Sequence, residues 1–370
     1  MRPTIRLINL GIIILLIFMV FGCSSFDVKS NTVEEISPTI LLYLDRDKNG
    51  KLQMSTIIPP LKKERKSLIT IHAGLMKEGR SLMDHKYYRE MKSGQLRILA
   101  VSERLARNGI MDVINTMLLD PEISDRVYLA VVQGDMRNYL KNQLLQKQEQ
   151  IDFYLYKMLS HYEKQKELTI ANLHQFMEKM YDPYADPVIP FFSVSKDEIV
   201  YQGTALFKDE VMKGVIHPPH DVFFQMLFRK TSLQKTIPLP ALDTTLGEVH
   251  STRRIRFNDS FRKAQIEVQL RGRVEEYRGN RDFNDPSEAA AWIRRMERQI
   301  EAEMERLMHR FQSLSVDPIP IGKHTLSLMR RPFGEEQWKK HWPHMQVNVR
   351  VHVNLEHGGM LKPNKSRFSP

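Results

Sequence analysis

Residues 127–132 read Val-Tyr-Leu-Ala-Val-Val, six apolar residues without polar alternation. A strand with one face in water alternates. An unbroken run belongs to a strand covered on both faces, the usual condition of a parallel sheet. Leu96–Val101 is a second short strand. Between the two lies a helical pattern that starts at Ser102-Glu103, breaks near Asn108-Gly109 and stops at Asp120-Pro121. Strand, helix and strand within about 37 residues fit a right-handed crossover between parallel neighbours. This half of the chain therefore calls for a sheet with helices on its faces.

Flanking segments extend the pattern. Ile40–Leu44 and Leu52–Ile58 form a hairpin across Asp45–Gly50, where Gly50 suits a turn. That loop imitates the start of a calcium loop, but its twelfth position is Thr56 rather than the bidentate glutamate such a site needs. Gly79-Arg80-Ser81 opens a helical stretch to about Ser93, with Ser81 as its cap. Residues 135–181 are mostly helical, with Tyr154, Met158, Tyr162 and Leu168 on one core face. Asp182–Pro187, with two prolines, ends the helices as a linker.

The second half has a different texture. Ile199–Tyr201, Ala205–Phe207, Ile255–Phe257 and Ala264–Leu270 are strand pieces. Asp285 caps a long helix whose first position is Pro286, and Trp292, Met296, Ile300, Met304, Leu307 and Phe311 form its apolar stripe. Met345–Leu355 alternates apolar and polar residues, a half-buried strand. The fold class expected is α+β, multi-domain, with mixed β-sheets flanked by α-helices.

One cysteine in 370 residues excludes an intramolecular disulfide framework and any multi-cysteine metal site. It lies at position 23, after Arg2, Arg6 and an apolar run from Leu7 to Phe21. That layout is a secretory signal, and the run is shorter than the roughly 20 residues of a spanning helix. Val20-Phe21-Gly22-Cys23 resembles a bacterial lipobox, which makes Cys23 the expected lipidation site. The alternative is an uncleaved signal anchor. A diacylglyceryl group meets the two-chain requirement for stable anchoring. The whole chain has a formal charge of +11; cleavage before Cys23 removes Arg2 and Arg6 and leaves 53 basic residues against 44 acidic ones, a charge of +9, which would draw the body toward anionic head groups. A secretory signal argues against nucleic acid as the partner of that charge, as does the absence of aromatics interleaved with the basic clusters. Hydrophobic residues at 42% and charged residues at 27% exclude a disordered chain and a polytopic membrane protein.

Catalytic patterns are missing. There is no nucleophile elbow, phosphate loop or dinucleotide fingerprint. His217/His220 and His341/His344 are spaced three apart, but prolines between them favour loops over a metal-binding helix. Asp182 and Asp186 are spaced as turn caps beside prolines. Glu103 and Arg107, four apart, form an exposed pair. The expectation is no catalytic residue, no metal and no cofactor.

Several landmarks, in order, resemble the Ger(x)C family, the C-subunit lipoproteins of bacterial spore germinant receptors. They are Gly79–Leu82, Ser102–Ile110, Asp120–Ile123, Gly203–Glu210 with Gly214, Asp317-Pro318 with Gly322, Trp338 and the closing valine-rich strand. The resemblance implies α+β domains without catalytic activity, anchored on the outer face of the spore inner membrane. It implies polytopic A- and B-type receptor subunits as partners, in a complex that senses nutrients and starts germination. The expected layout is a signal peptide over 1–22 and a lipidated start and flexible tether over 23–38. An N-terminal α/β-type region with room for two subdomains follows over 39–187, then a C-terminal α+β domain over 188–360 and a basic tail over 361–370. Two competing readings are a ligand-capturing solute-binding lipoprotein, which needs two α/β lobes around a cleft, and a surface hydrolase, which lacks its constellation.

Overall fold

The computed structural model describes residues 35–61, 64–146, 150–166, 168–228, 236–258, 261–279, 285–326 and 334–356. The chain divides into two units, Met1–Ile36 and Ser37–Pro370, and of the first only Glu35 and Ile36 are described. Cys23 and the basic tail over 361–370 lie outside the described residues.

After β1 (Ile36–Pro38), the expected hairpin is present as β2 (Leu41–Arg46) and β3 (Leu52–Ile58). Asp47 closes its turn by accepting the amides of Asn49 at 2.8 Å and Lys51 at 2.9 Å. β4 (Ser67–Ala73) follows beside β3. α1 (Met76–Lys86) starts earlier than expected, so Ser81 lies inside it rather than capping it. The start signal is Glu78, whose carboxylate accepts the amides of Gly74 at 2.8 Å and Leu75 at 3.2 Å. Gly79 serves packing: a Cβ there would stand 2.1 Å from the Met54 sulfur. Where the helix was expected to continue, β5 (Glu90–Lys92) follows and pairs with β1.

β6 (Ile98–Ser102), α2 (Glu103–Asn108), α3 (Met111–Leu118) and β7 (Tyr128–Gln133) form the expected crossover. Ser102 Oγ caps α2 by accepting the Leu105 amide at 3.0 Å. β2, β6 and β7 are mutually parallel neighbours. α4 (Met136–Leu145), α5 (Ile151–Gln165), β8 (Ala171–Asn172) and α6 (Leu173–Met180) come next. On α5 the buried stripe is Ile151, Leu155 and Leu159. Tyr154, expected on the core face, is exposed, and Met158 and Tyr162 sit at the rim. Aliphatic side chains take the interior, and tyrosines, with an apolar ring and a polar tip, take the boundary.

β9 (Val188–Val194) runs parallel to β7, and β10 (Ile199–Lys208) and β11 (Val211–Ile216) add antiparallel neighbours. The strand order is β11-β10-β9-β7-β6-β2-β3-β4, with β8 on β7 as the ninth strand. Residues 182–187 lead directly into this sheet, with Ala185 and Asp186 buried. The two pieces read around residues 199–207 are one strand bent by a register shift at Tyr201/Gly203. Alternate strand residues serve two cores. Leu42, Leu99, Val101 and Val131 pack with α1, α2, α3 and α6, while Leu41, Ala100, Ala130 and Val132 pack with α4 and α5.

The remaining elements are α7 (His220–Phe228), β12 (Ile237–Leu239), β13 (Thr244–Phe257), β14 (Lys263–Tyr277), α8 (Pro286–Ser313), α9 (Glu335–His341) and β15 (Gln346–Leu355). They build a four-stranded sheet, β12-β13-β14-β15, in which only β14 and β15 are parallel. Asp285 caps α8 by accepting the Ser287 amide at 2.8 Å, and all six stripe residues are buried against this sheet and α7. On the outer edge of β15, Glu297, Glu301 and Glu305 of α8 accept the amides of Val353 at 3.0 Å, Val351 at 2.9 Å and Val349 at 3.4 Å. The mixed sheets flanked by helices are the α+β class expected.

Candidate functional site

In an α/β sheet, ligands and partners gather where parallel strands end at their carboxyl termini. Here β2 ends at Asp45-Arg46, β6 at Ser102, and β7 at Gln133, followed by Gly134-Asp135. Together they line a cleft of about 410 Å³. Ser102, Glu103 and Arg104 form one wall. The Ser102 hydroxyl donates to Asp45 Oδ1, and Arg104 donates to Asp45 Oδ2 at 2.9 Å. Gln133 Nε2 donates to Glu103 Oε2 at 3.0 Å, and Glu103 also holds Arg107 at 2.7 Å, the exposed pair expected from the spacing. Burial, then the charges of Asp45 and Asp135, push the Tyr43 hydroxyl far above its ordinary pKa. These groups satisfy one another. Ser102 faces the Asp45 carboxylate, and no histidine lines this cleft.

A second constellation is buried. Asp317 N–H donates to Asp186 Oδ2 at 2.6 Å, and Asp186 N–H donates back to the Asp317 carbonyl at 3.0 Å. The Asp317 carboxylate accepts the amides of Ile321 and Gly322, both at 2.9 Å. Lys208 reaches both oxygens of Asp186, at 3.0 and 3.2 Å. Burial pushes the Asp317 carboxyl up to about 7 against the pull of those two amides, and the Asp186 charge adds to the rise. Asp186 is raised by its own burial, with Lys208 opposing. Gly322 lies against Trp338: a Cβ there would stand 2.6 Å from the indole. Trp338 stacks on Trp342, whose Nε1–H donates to the Val316 carbonyl at 2.8 Å. Thus Asp186, Lys208, Trp338 and the Asp317–Gly322 turn, from four separate stretches of the chain, meet in one clasp.

Asp186 was expected to cap a turn. Instead it is buried and paired with Lys208, because residues 184–187 pass beneath the segment around Asp317. Asp182 does cap its turn, accepting the Tyr184 amide at 3.0 Å. The histidine pairs are divided among other partners. His217 Nδ1 meets the Gln202 carbonyl at 2.9 Å, His220 meets Glu303 at 2.9 Å, and His341 meets the Phe261 carbonyl at 2.8 Å. Among the described residues no group of three or more His, Cys, Asp or Glu could hold a metal ion. Among them too, no helix is long and apolar enough to cross a membrane. The clasp was half legible: Asp317, Gly322 and Trp338 were singled out, but their convergence on Asp186 carries no local signal.

Comparison with known proteins gives a consistent result. Residues 29–194 match the family model of the spore germination protein N-terminal domain, and residues 202–359 match the spore germination B3/GerAC-like C-terminal domain. The chain is 21% identical to spore germination protein GerQC of Bacillus cereus over 361 residues, covering 95% of this chain and 98% of that one. It is 21% identical to the putative spore germination protein YfkR of Bacillus subtilis (strain 168), covering 77% of each. The crystal structure of the GerBC protein aligns with a TM-score of 0.49 and 14% identity, over 85% of this chain and 97% of that one.

Proposed function

Because the chain belongs to the Ger(x)C family of spore germination proteins, we propose that it is the lipid-anchored, non-catalytic subunit of a spore germinant receptor. The carrying observation is that the two family models together span both sheets, from residue 29 to residue 359. Residues 1–22 act as the signal peptide, and Cys23, the one cysteine of the chain, takes the diacylglyceryl group. The anchor holds residues 39–360 at the outer face of the spore inner membrane, beside polytopic A- and B-type subunits. The subunit works there through protein contacts, in receptor assembly and in the signal that starts germination. The hydrogen bonds of Ser102 to Asp45 and of Gln133 to Glu103, with the Glu103–Arg107 ion pair beside them, support a contact surface over a reaction centre.

The test is Cys23→Ala in spores. Nutrient-triggered germination should fall severely, and mass spectrometry of the wild-type protein should find an acyl adduct on Cys23. Untethered protein that supports germination at the wild-type rate would overturn the anchoring. Turnover of a substrate by the purified chain would overturn the non-catalytic role. Micromolar binding of a nutrient in calorimetry would replace the reading with that of a solute-capturing lipoprotein.

A further inference from the structure

β4 ends the strand path of the large sheet, and among the described residues no strand pairs with its outer side. A groove of about 1000 Å³ opens beside its first half, against Ser67, Leu68 and Thr70. Its charged lining is Arg65, Lys66, Lys86, Arg137 and Lys141 against one carboxylate, Asp135. Lys66 is neutralised by Asp152 at 2.7 Å, and Asp135 is turned to capping α4 through the Asn138 amide at 2.9 Å. Arg65, Arg137 and Lys141 have no ion pair among the described residues. Leu68, Leu144 and Leu145 add apolar surface, and Leu145 is 73% exposed.

We infer that this groove takes an extended acidic segment of a partner polypeptide, added to the sheet as a further strand beside β4. An unpaired strand edge offers a row of N–H and C=O groups that an extended chain can complete. The cations select negative side chains, and the leucines seat the apolar residues that alternate with them. Lysines often guard an edge against such pairing. Here β4 itself, Ser-Leu-Ile-Thr-Ile-His-Ala, carries no lysine or arginine, and the one guard is Lys86 of α1, an exposed side chain that donates to the Thr70 carbonyl at 3.3 Å and would swing away from an added strand. The positive charge comes instead from α1, α4 and the approach to β4, arranged around a concavity. A concave groove beside backbone donors suits a polypeptide better than a flat bilayer surface. The other long sheet edge, β15, is closed by three glutamates and would repel the same segment.

The probe is a fluorescent peptide of alternating glutamate and valine, long enough to span Ser67–Ala73, offered to the purified full chain in detergent micelles. A second version is N-methylated at alternate amides, which keeps its charge and removes its strand-pairing donors. The first peptide should bind, slow hydrogen exchange of the β4 amides, and weaken about tenfold or more in Arg137→Glu/Lys141→Glu. The methylated peptide should bind at least tenfold more weakly. The inference is overturned if the first peptide fails to bind, if both peptides bind equally, or if the double variant binds as well as wild type. Protection of the β4 amides by phosphatidylglycerol added without peptide would make the groove a lipid site and overturn it too.

Discussion

The two large sheets solve the problem of covering a strand in different ways. The nine-stranded sheet is packed on both faces, by α1, α2, α3 and α6 on one side and α4 and α5 on the other. Its central strands therefore bury every residue they can, as Ile98–Ser102 shows. The four-stranded sheet leans on one long helix, α8, and β15 alternates buried and exposed residues accordingly. The edges differ as well: β15 is sealed by glutamates, while β4 is left to a basic groove. Two-sided cover spreads the load over several helices, whereas one-sided cover concentrates it in a single stripe.

That contrast can be broken or sharpened. The largest effect is expected from Met304→Ala, at a fully buried stripe position, which should cost about 2–5 kcal/mol in urea unfolding. Arg306→Ala, two residues on and exposed, should cost under about 0.5 kcal/mol. Equal costs would show that α8 is not the weight-bearing element. Next comes the clasp. A carboxyl whose pKa is raised by folding binds its proton more tightly in the native state, so stability falls as pH rises from about 4 to about 7. The Asp317 contribution should be on the order of 4 kcal/mol across that window and level above it. Asp317→Asn should remove that slope in thermal melts at a series of pH values, and an unchanged slope would assign it elsewhere.

Glu301→Ala strips the partner from a strand amide and should cost about 1–3 kcal/mol. Replacing Glu297, Glu301 and Glu305 together by Ala should also raise self-association in light scattering, because it unseals an edge. A monomeric triple variant would show that the glutamates do not guard β15. The smallest effect belongs to Arg107→Ala, which removes an exposed pair and should shift stability by a few tenths of a kcal/mol. A larger loss would mean that the Glu103–Arg107 pair braces the cleft wall behind Glu103.

Legibility followed the same division. The two-sided strand Tyr128–Gln133 announced itself as an apolar run, and α8 and β15 through clean periodicity and the Asp285-Pro286 start. β13 and β14 were seen only in part, because their outward positions carry Arg, Glu and Gln, which look like loop chemistry when read singly. α1 was misplaced because Gly79, needed for contact with Met54, imitates a helix start. α7 left no periodic trace, since seven of its nine residues are buried and an all-round buried helix has no stripe. In the clasp, Lys208 and Asp186 became partners only because β10 pairs with β9 just after residue 186, and Asp317 joins them through backbone hydrogen bonds.

The glutamate seal on β15 also sets a length limit. Four helical residues advance about 6.0 Å, whereas two strand residues advance about 6.6 Å, so helix and strand slip like the two scales of a vernier. Three rungs stay within reach, and the third, at 3.4 Å, is already stretched. One residue inserted between Glu297 and Glu305 would swing the following glutamates by about 100° and uncouple every rung beyond it. Natural variation in this stretch should therefore occur by substitution rather than by a change of length.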